Sequence, residues 1–169
     1  NYFRCLRNQN MEITTCLWFN YNGREAAQYY VSIFPNSKLK GDWVTPVETP
    51  GNEPETEVTI EFEIFGQNFM ALNGGPHFQF NEATSFIIPC KDQNEIDHYW
   101  NKLIDDGGQA SQCGWLKDKF GVSWQITSPE MGKYLGGPDA DGRTRAVTAM
   151  LSQTKIDLAE LKAAYEGKS

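Results

Sequence analysis

The sequence predicts an α+β fold built from one βαβββ unit used twice and followed by a C-terminal helical extension. Three observations predict it. Two amphipathic helical segments, one running from Asn22 to about Phe34 and one over 93–106, stand 70 residues apart with their apolar faces in register: Ala26 falls on Ile96, Tyr30 on Trp100, Ile33 on Leu103 and Phe34 on Ile104. The strand before each helix matches at the same offset, Thr15 on Ser85, Leu17 on Ile87 and Phe19 on Pro89. Further on, Gly66-Gln-Asn-Phe69-Met70 matches Gly121-Val-Ser-Trp124-Gln125 at an offset of 55. Repeats too short to close a core alone do so by pairing.

Each element has a local cause. Residues 13–20 are β-branched and aromatic, which favours a strand. Asn22 is placed to cap the first helix, and Pro35-Asn36 end it. Residues 39–47 form a second strand, and the Pro- and Gly-containing stretch 49–54 a loop. Residues 56–65 alternate, with Val58, Ile60, Phe62 and Ile64 on one face. The other face carries Glu57, Thr59, Glu61 and Glu63, and such evenly spaced carboxylates predict a solvated outer face. Gly66-Gln67 turns the chain into a strand over 68–73. The pattern then repeats with a strand over 84–90 and the second helix, which Gly107-Gly108 stop. The domain boundaries that follow are 11–129 for the paired units, with unit one at about 13–74 and unit two at about 84–128. Residues 1–10 read as a leader or cloning remnant. The extension, 130–169, is helical from about 143, with Asp157 as a helix cap and Gly167 beyond. Its apolar face must be buried on its own domain or across a dimer.

The chain has 169 residues, 40% hydrophobic and 22% charged, enough to bury a core without disulfides or metals. The net charge of −7 argues against a nucleic-acid surface, which needs a basic patch. No apolar run approaches the roughly 18–20 residues of a membrane span, and no signal-peptide pattern opens the chain. The four cysteines, at 5, 16, 90 and 113, form no C-x-x-C pair, which fits reduced thiols in the cytoplasm.

Several segments carry a family likeness: Asn73-Gly-Gly-Pro76, Phe80-Asn81-Glu82-Ala83, Tyr99-Trp100 and Cys113-Gly-Trp-Leu-Lys-Asp-Lys-Phe-Gly-Val-Ser-Trp-Gln125. Over about residues 12–165 the chain resembles the PhnB-like branch of the vicinal oxygen chelate superfamily, the glyoxalase/bleomycin resistance/dioxygenase-like proteins. Members of this branch often carry the label 3-demethylubiquinone-9 3-methyltransferase domain. The resemblance implies a glyoxalase-like pair of half-barrels with a small-molecule pocket between them, and a homodimer. It implies metal ligands from the first and last strand of each unit, which here fall on Thr15, Met70, Ser85 and Gln125, or on Cys16 if the first strand slips by one residue. A divalent metal there needs His, Glu or Gln. Only Gln125 qualifies, so no metal is expected. No cofactor is expected either: no glycine-rich loop stands between a strand and a helix, so the methyltransferase label lacks a cofactor motif.

If Gln125 points into the pocket, so do Ser123 and Thr127, while Trp124 and Ile126 face the helix; on the first strand Thr15, Leu17 and Phe19 point in. The pocket residues predicted are then Thr15, Phe19, Met70, Asn73, His77, Ser85, Cys113, Trp115, Ser123 and Gln125, which suit a small organic molecule with an apolar body and a few hydrogen-bonding groups. Two of them are candidate reactive groups. His77, after Gly74-Gly75-Pro76, is placed for acid–base work near neutral pH, or is a plain loop histidine. Cys113, on an expected inner strand, is a nucleophile if a base or cation such as Lys117 lowers its pKa, and otherwise a buried structural thiol. His98 reads as solvated, Cys16 and Cys90 as core, and Asp118 as a turn former. Asp139-Ala-Asp141-Gly142 opens like a calcium loop but lacks the later ligands and the closing Glu, which makes it a turn. A binding or sequestering role, an enzyme of the same superfamily and a dimeric interaction module with a vestigial pocket all remain open at this point.

Overall fold

A strand, a helix and three further strands recur in each half of the chain, in the predicted order. The computed structural model describes residues 13–168, so the reading of residues 1–10 lies outside the described residues. Contacts divide the chain into two units, one ending at Gln79 and the other beginning at Phe80.

Unit 1 contains β1 (Thr15–Phe19), α1 (Gly23–Ile33), β2 (Lys38–Val44), β3 (Glu57–Ile64) and β4 (Gln67–Asn73). Its sheet runs β1-β4-β3-β2, with β1 parallel to β4 and the other pairs antiparallel. Helix α1 buries Ala26, Ala27, Tyr30 and Ile33 on the face of the sheet that carries Ile60, Phe62, Phe69 and Ala71. The Tyr30 ring stacks on Phe62 at 6.1 Å between centroids, and Phe62 on Phe69 at 5.4 Å. The start of α1 departs from expectation. Asn22 occupies the cap position but its side chain makes no cap bond. Instead the Gly23 N–H donates to Asn73 Oδ1 at 2.9 Å. A Cβ on residue 23 would sit 2.7 Å from that oxygen, so only glycine permits the bond.

Unit 2 contains β5 (Ser85–Pro89), α2 (Gln93–Ile104), a single 3-10 turn over 105–107, β6 (Gln109–Ala110), β7 (Trp115–Lys117) and β8 (Ser123–Thr127), in a sheet ordered β5-β8-β7-β6. Asp92 caps α2 by accepting from the Glu95 N–H, and Glu95 in turn accepts from the Lys91 N–H. The core gathers Ile88, Ile96, Trp100, Leu103, Leu116, Trp124 and Ile126. Asp118 forms the β7–β8 turn as predicted: it is buried and accepts from the Phe120 and Val122 N–H groups and from Trp124 Nε1.

The extension is helical earlier than predicted and in three pieces: α3 (Met131–Leu135), α4 (Ala140–Ser152) and α5 (Leu158–Glu166). Asp139, read above as part of a turn, caps α4 by accepting from the Asp141 N–H. Asp157 caps α5 as expected, accepting from the Ala159 and Glu160 N–H groups, and Gly167 closes that helix in the left-handed region. The extension packs on its own unit. Ile156 and Leu161 are fully buried, the Gln93 side chain bonds Ile156 O and the Leu158 N–H, and the Cys113 and Gly114 N–H groups donate to Gln153 O and Thr154 O at 2.8 Å each. Among the described residues, no helix is long and apolar enough to cross a membrane.

The main correction concerns β1. In both units the helices match at an offset of 70, but the strands before them do not. Thr15, Leu17 and Phe19 pair with Phe69, Ala71 and Asn73, so they share the face covered by α1. Cys16 and Trp18 pair with Met70 and Leu72 on the opposite face. In unit 2, Phe86 and Ile88 pair with Trp124 and Ile126 under α2, and Ser85 and Ile87 with Ser123 and Gln125 on the open face. By pairing and burial, Leu17 matches Ile88 and Phe19 matches Cys90, an offset of 71. Unit 1 therefore has one more residue between strand and helix, and Tyr21 in that connection takes a left-handed conformation, φ +62°. A slip of one residue exchanges the two faces of a strand. Thr15 and Phe19 thus face the helix rather than the expected pocket, and Cys16, expected in the core, is exposed.

Candidate functional site

Strand β8 places the site residues as alternation requires. Trp124 and Ile126 lie in the core under α2, and Ser123, Gln125 and Thr127 on the helix-free face. Ser85 joins them from β5, and the Gln125 amide donates to Ser85 Oγ at 2.9 Å. From the other side β7 adds Trp115 opposite Gln125 and Lys117 opposite Ser123.

A cavity of about 530 Å³ opens beside this face, lined by residues that include Trp115, Leu116, Lys117, Ser123, Cys113 and Glu82. Two charges meet there: Lys117 Nζ lies 2.5 Å from Glu82 Oε1. That hydrogen bond holds the Glu82 carboxyl below the usual carboxylate range. Ser123 is 2% exposed and its Oγ has no hydrogen-bond partner. A buried hydroxyl left unmatched is costly, and in a native fold it calls for an explanation.

Cys113 sits at the edge of this cavity, but not on a strand as expected. It occupies a left-handed turn before β7, φ +56°, followed by Gly114 at φ +82°. A Cβ on residue 114 would come within 2.5 Å of Ile126 O, which explains that glycine. The thiol is half-buried and contacts Met150 O at 3.5 Å, so the extension fixes its direction.

The remaining predicted residues lie in unit 1. Met70 is on the helix-free face of β4. Asn73 is buried, with its amide spent on Gly23 N–H and Glu57 O. The glycines after it have a packing role: a Cβ on Gly74 would meet the Trp18 ring at 2.2 Å, and Trp18 Nε1 donates to Gly75 O at 2.8 Å. His77 follows in an exposed turn. The carboxylates of β3 are less solvated than expected. Glu57 is bound by Arg24, Glu63 lies near Lys38 and Lys40, and all are half-buried on a face that also carries Met70.

The metal positions can be tested on their donors. A thioether (Met70), a hydroxyl (Ser85) and an amide already bonded to that hydroxyl (Gln125) do not form a site for a hard or borderline cation. Thr15 is turned to the helix, and the alternative Cys16 adds one thiol. Among the described residues, no three His, Cys, Asp or Glu side chains are grouped to hold a metal. These residues do not fit the superfamily's metal.

Two mixed four-stranded sheets, each with a helix on one face, define the class: an α+β protein of the glyoxalase-like, vicinal oxygen chelate fold. Residues 11–127 match the 3-demethylubiquinone-9 3-methyltransferase family, and the chain belongs to that family. A PhnB protein from Bacillus cereus, which carries a provisional label of the same name, is 33% identical, with 70% of this chain and 99% of that one covered at a TM-score of 0.61. A Pseudomonas aeruginosa protein is 19% identical over 70% of this chain and 98% of its own, at 0.56. The fosfomycin resistance protein FosX from Listeria monocytogenes shares the fold at 11% identity and a TM-score of 0.51, over 72% of this chain and 93% of its own. No match was found among curated proteins.

Sequence reasoning missed Glu82 as a partner of Lys117. The alternation of Trp115 and Lys117 was readable, but nothing in the sequence signals that 80–84 returns to β7.

Proposed function

We propose that this chain is a metal-independent small-molecule-binding protein of the cytoplasm, with a binding or sequestering role, and that it works as a homodimer. The observation that carries the reading is the 530 Å³ cavity of unit 2, where Trp115 stands beside the Lys117–Glu82 pair. Trp115 supplies apolar contact, and Lys117 a hydrogen-bond donor at the mouth. The family's methyltransferase label finds no cofactor loop in the sequence. The three described cysteines are free thiols, which suits a reducing compartment.

The test is native mass spectrometry of the full chain against small aromatic metabolites, run beside elemental analysis of protein purified without added metal. Trp115→Ala should weaken binding, while Ser123→Ala should bind as the parent does and be as stable or more stable by about 1 kcal/mol, because an orphaned buried hydroxyl has been removed. One equivalent of tightly held zinc, nickel or iron would overturn metal independence. A library in which nothing binds would overturn the pocket.

A further inference from the structure

Resting on that reading, we propose that the unit 2 cavity takes a small molecule bearing a carboxylate on an apolar body, and that Glu82 occupies the place of that carboxylate when the cavity is empty. Among the described residues that line the cavity, Lys117 is the only cation and Glu82 the only anion. Their side chains are 33% and 63% exposed, so the pair stands at the mouth, where an ion pair contributes little and exchanges readily. Glu82 comes from a turn in the segment between β4 and β5 and is tethered by no regular element, whereas Lys117 is fixed on β7 directly opposite Ser123. The fixed partner is therefore the cation, and the replaceable one is the carboxylate.

Geometry supplies the second anchor. Register places Lys117 and Ser123 side by side on one face of adjacent strands. The Ser123 Oγ is closed off from the cavity surface, so it is the Lys117 ammonium, standing over it, that meets a ligand's acceptor. Trp115, two residues before Lys117 and on the same face, flanks the lysine with an aromatic surface for the ligand's body. Among the described residues, no acidic side chain other than Glu82 lines the cavity to repel an anion.

The probes are 3-phenylpropionate and its neutral isostere 3-phenylpropionamide, titrated into the full chain by calorimetry with Trp115 followed by NMR. The acid should bind more tightly than the amide. Glu82→Gln removes the internal competitor and should raise affinity for the acid about fivefold while leaving the amide unchanged. Lys117→Met should cut affinity for the acid at least tenfold, again sparing the amide; both residues are partly exposed, so both variants should fold, as thermal melts would verify. Rising ionic strength should weaken the acid alone. Equal binding of acid and amide, or indifference of the acid to both substitutions, overturns the carboxylate assignment and leaves the pocket standing. Failure of both probes to perturb Trp115 overturns the assignment and counts against the pocket as well.

Discussion

The two units use the same elements in the same order, yet their helix-free faces differ. In unit 2 the face carries the neutral Ser85, Ile87, Ser123, Gln125 and Thr127 on β5 and β8, with Trp115 and Lys117 on β7, beside a cavity with one ion pair at its mouth. In unit 1 it carries Met70, Leu72, Cys16 and Trp18 with the carboxylates of β3. Its ring of Trp18 is closed down by Gly74, Gly75 and an edge-on Phe78 at 4.9 Å. The difference begins with one residue. Helix packing holds α1 and α2 at an offset of 70, while β1 and β5 are offset by 71, so the strand faces are set by their own alternation and not by the distance to the helix. An alignment that is right for a helix cannot be carried through a turn into the strand before it.

The largest effects should come from breaking that difference. Phe19→Ala removes a side chain 2% exposed beneath α1 and should cost about 3–5 kcal/mol in chemical denaturation. Cys16→Ala, on the exposed face, should cost less than about 0.5 kcal/mol. In unit 2 the same contrast should separate Ile88→Ala, at about 2–4 kcal/mol, from Ile87→Ala, whose side chain is 61% exposed. If Cys16 and Phe19 changed places in this series, the register of β1 against β4 would be wrong.

An intermediate effect sharpens the comparison of the last hairpins. Unit 1 turns through Phe65-Gly66, both with positive φ, and no buried carboxylate. Unit 2 turns around Asp118, whose two oxygens satisfy three donors. Asp118→Ala leaves those donors without partners and should cost about 3 kcal/mol. Asp118→Asn can keep the Oδ1 bonds but sets an NH2 group against the Trp124 indole N–H, so it should also destabilise, and the tryptophan fluorescence should report the change. A neutral Asn variant would mean that the turn, not the carboxylate, holds the hairpin.

What was legible in the sequence follows the same physics. Apolar period gave the helices and most strands, and alternation gave the faces of β3 and β8, because one buried face per element leaves a strong pattern. Asp118 and Asp157 were readable as local hydrogen-bonders. Faces that depend on a partner strand were not: Leu17 and Phe19 form a clean apolar row, but whether that row meets a helix or a pocket is decided by Phe69, Ala71 and Asn73, more than 50 residues away. The Gln112–Gly114 turn was read as strand because Cys113 is an unusual residue for φ +56°, and the bonds that hold it come from Gln153 and Thr154 in the extension. The Glu82–Lys117 pair was hidden for the same reason, since contacts made by irregular segments leave no period.

A smaller effect than that of Asp118 concerns Phe19, the last residue of β1, and its structural match Cys90, which directly follows β5. Cys90 is 1% exposed, and burial, aided by the charges of Glu95 and Asp92, pushes its thiol up to about 12. The sign follows from linkage. The unfolded thiol ionises in its ordinary range while the folded one stays protonated, so the folded state loses stability as pH rises from that range towards 12. With an unfolded value of about 8.5, the loss at pH 10 amounts to about 2 kcal/mol. Lysines and tyrosines titrate in the same window, so the measurement is a difference: urea unfolding of the parent and of Cys90→Ala at pH 8 and pH 10. Alanine should be less stable at pH 8 because it leaves a cavity, and that gap should narrow by about 2 kcal/mol at pH 10, since alanine has no proton to lose. Iodoacetamide at pH 8 should correspondingly spare Cys90 in the folded chain. A gap that stays constant with pH would show that position 90 tolerates a thiolate, and the core of unit 2 would then be wetter at its strand end than that of unit 1 at Phe19.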